Sequence, residues 1–92
     1  MAKLIVAPSA QQDLPDIYDY IARDKPIASA NWVEKIEEKC KLIAATPELG
    51  ERRPEHGIRS SVVGRYVIFF RSIENGIEVA RVIAGDRDIR SL

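Results

Sequence analysis

Gly64-Arg65-Tyr66-Val67-Ile68-Phe69-Phe70-Arg71-Ser72-Ile73-Glu74-Asn75-Gly76-Ile77-Glu78-Val79-Ala80-Arg81-Val82-Ile83-Ala84-Gly85 holds two runs of β-branched and aromatic residues on either side of Asn75-Gly76, with no proline in either run. Asn-Gly is a strong hairpin signal, because a type I′ turn needs positive φ at both central residues. The first run has the period of a strand: Tyr66, Ile68 and Phe70 point one way, Val67 and Phe69 the other. Both sets are apolar. The strand is therefore either covered on both faces or leaves one face for a partner. We expect Val67 and Phe69 to meet the helices, and Tyr66, Ile68 and Phe70 to form an apolar stripe on the far face.

Working outward, Ile58 to Val63 reads as the preceding strand, with Gly64 supplying the turn. The segment from Thr46 to Gly57 contains Pro47, Gly50 and Pro54 and reads as a loop, long enough to suggest a role. At the other end, Lys3 to Ala7 is a short strand stopped by Pro8. Ser9 and Gln12 have the spacing of a capping box, and Pro15 predicts a kink or a restart at Asp13. Leu14, Ile17, Tyr18 and Ile21 then give a helical apolar stripe that places Tyr18 in the core. Asp13, Asp16 and Asp19 share a helix edge. Their place toward the helix start favours an interaction with its dipole over metal binding. Arg23-Asp24-Lys25-Pro26 separates this helix from a second one over Pro26 to Ala45, with Asp24 a candidate N-cap. The second stripe is Ala30, Val33, Ile36, Cys40 and Ile43, with Trp32 beside it. Strand–helix–helix–strand–strand–strand predicts one α+β domain over residues 1–92, a helical hairpin on one face of a small, mainly antiparallel sheet. The tail from Asp86 to Leu92 forms a helical turn or frays.

Lysine plus arginine and aspartate plus glutamate number 14 each, so net charge indicates neither a nucleic-acid nor a membrane partner. The cations are segregated, however. All lysines lie in the first half, and every arginine except Arg23 lies from Arg52 onward. Guanidinium groups on the sheet half either recognise carboxylate or phosphate, or cover a polar edge. Cys40 is the only cysteine, which excludes an internal disulfide and fits a buried thiol in a reducing compartment. The N-terminus lacks a secretory pattern and no apolar run approaches the ~20 residues of a membrane span, so a cytoplasmic location is expected.

No phosphate-binding glycine loop, metal-ligand cluster or nucleophile–base set is present, and no cofactor or metal is expected. His56, the only histidine, sits in the Pro/Gly loop and reads as a solvated residue. Arg81 and Arg87 could stabilise a phosphoryl transition state. Without an acid or base beside them, pairing with carboxylates of this chain or of a partner is the simpler reading.

Asp19-Tyr20-Ile21-Ala22, Pro47-Glu48-Leu49-Gly50, the stretch from Gly64 to Arg71, and Arg81-Val82-Ile83-Ala84-Gly85-Asp86-Arg87-Asp88-Ile89 together resemble a ParE toxin of the RelE/ParE superfamily. The resemblance covers nearly the whole chain, and the two C-terminal stretches are its specific part. It implies a small bacterial toxin neutralised by an antitoxin encoded beside it. Members of the RelE branch cleave messenger RNA in the ribosome, whereas ParE-type members poison DNA gyrase. Arg87 stands where RelE-type nucleases carry an arginine after Gly-Asp-like residues. Tyr66 stands where they carry another arginine, and their C-terminal tyrosine has no counterpart here. Many ParE-like chains have histidine where this one has Ala84.

The resemblance thus implies a non-enzymatic gyrase inhibitor, with a ribosome-dependent mRNA nuclease or an inactive toxin that still binds antitoxin as alternatives. The gyrase contact is expected at Arg81, Asp86, Arg87 and Arg90. On a helical turn Arg87 and Arg90 would share one edge. The antitoxin contact is expected at Arg65, Tyr66, Ile68, Phe70 and Arg71, where the far-face stripe would be buried and acidic residues would meet the arginines.

Overall fold

The computed structural model describes residues 2–53 and 57–85. The hairpin read from the sequence is its centre: β4, Tyr66–Ile73, runs antiparallel to β5, Gly76–Ala84. Ile73 pairs with Gly76, so the two-residue loop is Glu74-Asn75, one position earlier than Asn-Gly suggested. Asn75 takes the positive φ, at 66°, and Glu74 does not, which excludes the type I′ turn.

Gly76 is needed for a different reason. β1, Lys3–Val6, lies parallel to β5 with Lys3 opposite Gly76, and a Cβ on Gly76 would run into the Lys3 carbonyl oxygen. Gly76→Ala should therefore push β1 away, at a cost of about 1–3 kcal/mol as an overpacking change. Native-state hydrogen exchange should show the loss first at the Lys3 amide, which donates to Asn75 O at 2.7 Å.

The remaining elements are α1, Pro8–Ala22, α2, Pro26–Ala45, a 3₁₀ turn over Pro47–Leu49, β2, Glu51–Arg53, and β3, Ile58–Val63. The sheet has five strands in the order β1-β5-β4-β3-β2, antiparallel except for β1 beside β5. The mixed sheet with two helices is the α+β arrangement expected. β2 is an addition, formed within the predicted loop by residues that pair with β3. Three residues are too few for a periodic signal.

The facing of β4 is the reverse of the sequence expectation. Tyr66, Ile68 and Phe70 lie on the helix side, in one cluster with Ile17, Ile36, Cys40 and Ile43. Val67 and Phe69 form a second cluster on the other face with Ile83 and Ile58. Two contacts fix this choice. Trp32 of α2 stands edge-on to Tyr66, with ring centroids 6.1 Å apart. Gly50 lies against the Phe70 ring, and any Cβ there would enter it. This gives the Pro47-Glu48-Leu49-Gly50 motif a packing role.

The helices differ in detail from their sequence patterns. Ala7, not Ser9, is the N-cap of α1, and Pro8 starts the helix where no intrahelical N–H is required. The helix continues through Pro15, which is exposed, as is Gln11 one turn earlier, so water can serve the carbonyl that loses its partner. Tyr18 is 44% exposed rather than core, while Ala10, Asp13 and Ile17 are buried. In α2, Ala30 is exposed and the buried residue of the first turn is Ser29. Its Oγ donates to the Pro26 carbonyl at 2.6 Å, which satisfies the hydroxyl. Lys25, not Asp24, occupies the N-cap.

Cys40 is buried as expected. Burial, reinforced by the nearby Glu37 carboxylate, pushes its thiol up to about 11 from an ordinary 9.0. The unfolded chain loses this proton first, so stability should be intact below pH 9 and fall as pH rises toward 11. Cys40→Ala should flatten that part of a denaturation-versus-pH curve.

Candidate functional site

The site begins where β1 stops. Val6 is the last β1 residue paired with β5, opposite Val79, so the rest of that β5 edge has no strand beside it. α1 lies there instead. In the pairing with β4, Phe70 opposes Val79 and Phe69 opposes Arg81, which leaves Ala80 as the extra residue of a β-bulge. The bulge shifts the alternation, so Val79 and Val82 both point to the helix side.

Asp13 of α1 takes over the edge. Its Oδ2 accepts from the Val82 amide at 2.9 Å and from Arg81 Nε at 2.8 Å, and its Oδ1 accepts from Arg81 Nη2 at 3.0 Å. The carboxylate thus replaces a strand carbonyl for Val82 and holds a bidentate ion pair. These bonds hold Arg81 above its ordinary value against the opposing effect of partial burial, with the charge of Asp13 adding to them.

Beside this tether is a cavity of about 290 Å³ between α1 and the ends of β4 and β5. Asp13, Asp16, Ile17 and Tyr20 line it from the helix, and Arg65 and Arg81 from the sheet half. Asp16 accepts from Gln12 Nε2 at 3.1 Å. Tyr20 is 61% exposed at the rim.

The expected site residues are therefore dispersed. Arg81 is bound to Asp13, as the same-chain reading of the sequence had it. Arg65 is on the cavity wall. Tyr66, Ile68 and Phe70 are buried against the helices and offer no stripe to a partner. Arg71 is exposed and bonds Glu78 across the hairpin. Asp86, Arg87, Arg90 and His56 lie outside the described residues. Sequence reasoning missed Asp13. The available signal was an acid at a core position, three residues after Ala10 and four before Ile17, which requires an internal cation. Among the described residues, no helix is long and apolar enough to cross a membrane, and no three His, Cys, Asp or Glu side chains gather as a metal site.

A helical hairpin on one face of a mixed five-stranded sheet is the fold of RelE/ParE-type toxins. The chain belongs to the ParE toxin family of type II toxin–antitoxin systems, parDE, whose model matches residues 4–89. It is similar to the chromosomal ParDE toxin–antitoxin system from P. aeruginosa, at 25% identity and a TM-score of 0.78, over 91% of this chain and 96% of that one. The RelBE2 toxin–antitoxin complex from Mycobacterium tuberculosis shares the fold at 19% identity and a TM-score of 0.56, over 90% of this chain and 96% of the other. The YoeB-YefM complex from Staphylococcus aureus does so at 19% identity and a TM-score of 0.59, over 90% and 95%. No curated protein matches the chain.

Proposed function

We propose that this ParE-family toxin inhibits DNA gyrase by binding it, without covalent chemistry of its own, and that a cognate antitoxin neutralises it in the cytoplasm. The observation that carries the non-enzymatic part is the facing of β4. Tyr66, at the position where RelE-type nucleases carry an arginine, turns inward beneath Trp32 and is 3% exposed, so that place on the strand presents no group to RNA. Arg81, the other candidate phosphate contact on β5, has a carboxylate of its own chain on its Nε side. Membership of the ParE family supports gyrase as the target. The toxin–antitoxin assemblies formed by the similar structures support the antitoxin. Of the residues first expected to meet it, the exposed Arg65 and Arg71 remain as surface candidates.

The test is a supercoiling assay with purified gyrase. The chain should inhibit supercoiling and accumulate cleaved DNA, and added antitoxin should reverse both. A folded variant lacking residues 87–92 should lose inhibition and keep antitoxin binding. Messenger RNA cut in translating ribosomes, with gyrase unaffected, would overturn the proposal in favour of the nuclease reading. Neither effect, with no growth arrest on expression, would overturn it in favour of an inactive toxin.

A further inference from the structure

The tether uses only part of Arg81. Of the five N–H donors of a guanidinium, Nε and one on Nη2 meet Asp13. Among the described residues nothing bonds the outer edge, formed by Nη1 and the second N–H of Nη2, and the side chain is 39% exposed in the cavity wall. That edge matches a carboxylate, which can accept two parallel N–H bonds. Asp13 also fixes the guanidinium in place beforehand, so little side-chain freedom remains to be lost on binding.

The cavity indicates what brings the carboxylate. At about 290 Å³, it lies at the small end of the range for ligand pockets and has room for a side chain. Ile17 and Val82 offer apolar wall to a methylene stem. Two carboxylates, Asp13 and Asp16, and two guanidinium groups, Arg65 and Arg81, line the cavity, so the walls do not favour a polyanion. Asp16 in particular opposes the closely spaced phosphates of a nucleic acid. We propose that this cavity is a receptor for a single acidic side chain, best a glutamate, of a partner polypeptide, held end-on by Nη1 and Nη2 of Arg81. The site exists whether or not gyrase is the target.

The experiment is nuclear magnetic resonance on the full ¹⁵N-labelled chain, following the Arg81 Nε–H and Val82 N–H signals. The probes are acetyl-Ala-Glu-Ala-amide, acetyl-Ala-Gln-Ala-amide, inorganic phosphate and a short single-stranded DNA. Saturable shifts are expected with the glutamate peptide and not with its glutamine twin. Arg81→Lys keeps a cation for Asp13 and lacks the end-on fork, so it should weaken glutamate-peptide binding about tenfold or more, the loss expected for a charge-assisted pair. Asp16→Asn should strengthen phosphate and DNA binding several-fold over the parent. Equal shifts with the glutamine peptide would overturn the proposal, as would tighter binding of phosphate or DNA than of the glutamate peptide by the parent chain. Undiminished peptide binding by Arg81→Lys would also overturn it. The glutamate–glutamine comparison uses the unaltered chain and decides the matter even where Arg81→Lys does not fold.

Discussion

Phe70→Ala should lower the unfolding free energy by about 3–5 kcal/mol, the usual cost of emptying a core phenylalanine site. Phe70 is 0% exposed, central in β4, and packed in the cluster that joins the sheet to both helices. The cavity would not close easily. Gly50 borders the ring on one side and has no side chain that could move in. Val62→Ala, at a residue 62% exposed on the neighbouring strand, should change stability by no more than about 0.5 kcal/mol. Urea unfolding of the two variants measures both numbers. An unchanged midpoint for Phe70→Ala would place the core on the other face of β4, as the sequence alone suggested.

Asp13→Ala should cost about 3 kcal/mol through two losses. The Val82 amide, on an edge with no strand beside it, loses its acceptor, which for a buried donor costs about 1–3 kcal/mol. Arg81 loses its counter-ion, but at 39% side-chain exposure it can turn to water, so this share is well below that of a fully buried pair. Asp13→Asn can still accept from Val82 through its amide oxygen and should cost less than Asp13→Ala. Arg81→Ala should also cost less, because Asp13 keeps the Val82 bond. A double-mutant cycle between Asp13 and Arg81 should return a coupling of about 1 kcal/mol, within the range for residues in direct contact. A coupling of zero would mean that the tether is the Asp13–Val82 bond alone.

The sequence by itself determined the two helices, the other four strands and their order, but not β2. Pro26 marks a helix start, and α2 has the limits its pattern predicted, Pro26–Ala45, whereas α1 starts at Pro8, ahead of the cap expected at Ser9. The unbroken β-branched and aromatic runs on either side of Asn75-Gly76 signalled a hairpin, and the motif stretches pointed to the ParE family. These signals are local: each depends on residues within a few positions of one another. Only the tertiary structure decided which face of β4 is inside. Period two sorts Tyr66, Ile68 and Phe70 from Val67 and Phe69, yet with both sets apolar it carries no sign of direction. That sign comes from Trp32 and Gly50, distant in sequence from the residues they touch. The site was hidden for the same reason. Asp13 and Arg81 are 68 positions apart. The bulge at Ala80 breaks the alternation that would have placed Arg81, and the Val82 amide needs a side-chain acceptor only because β1 ends at Val6.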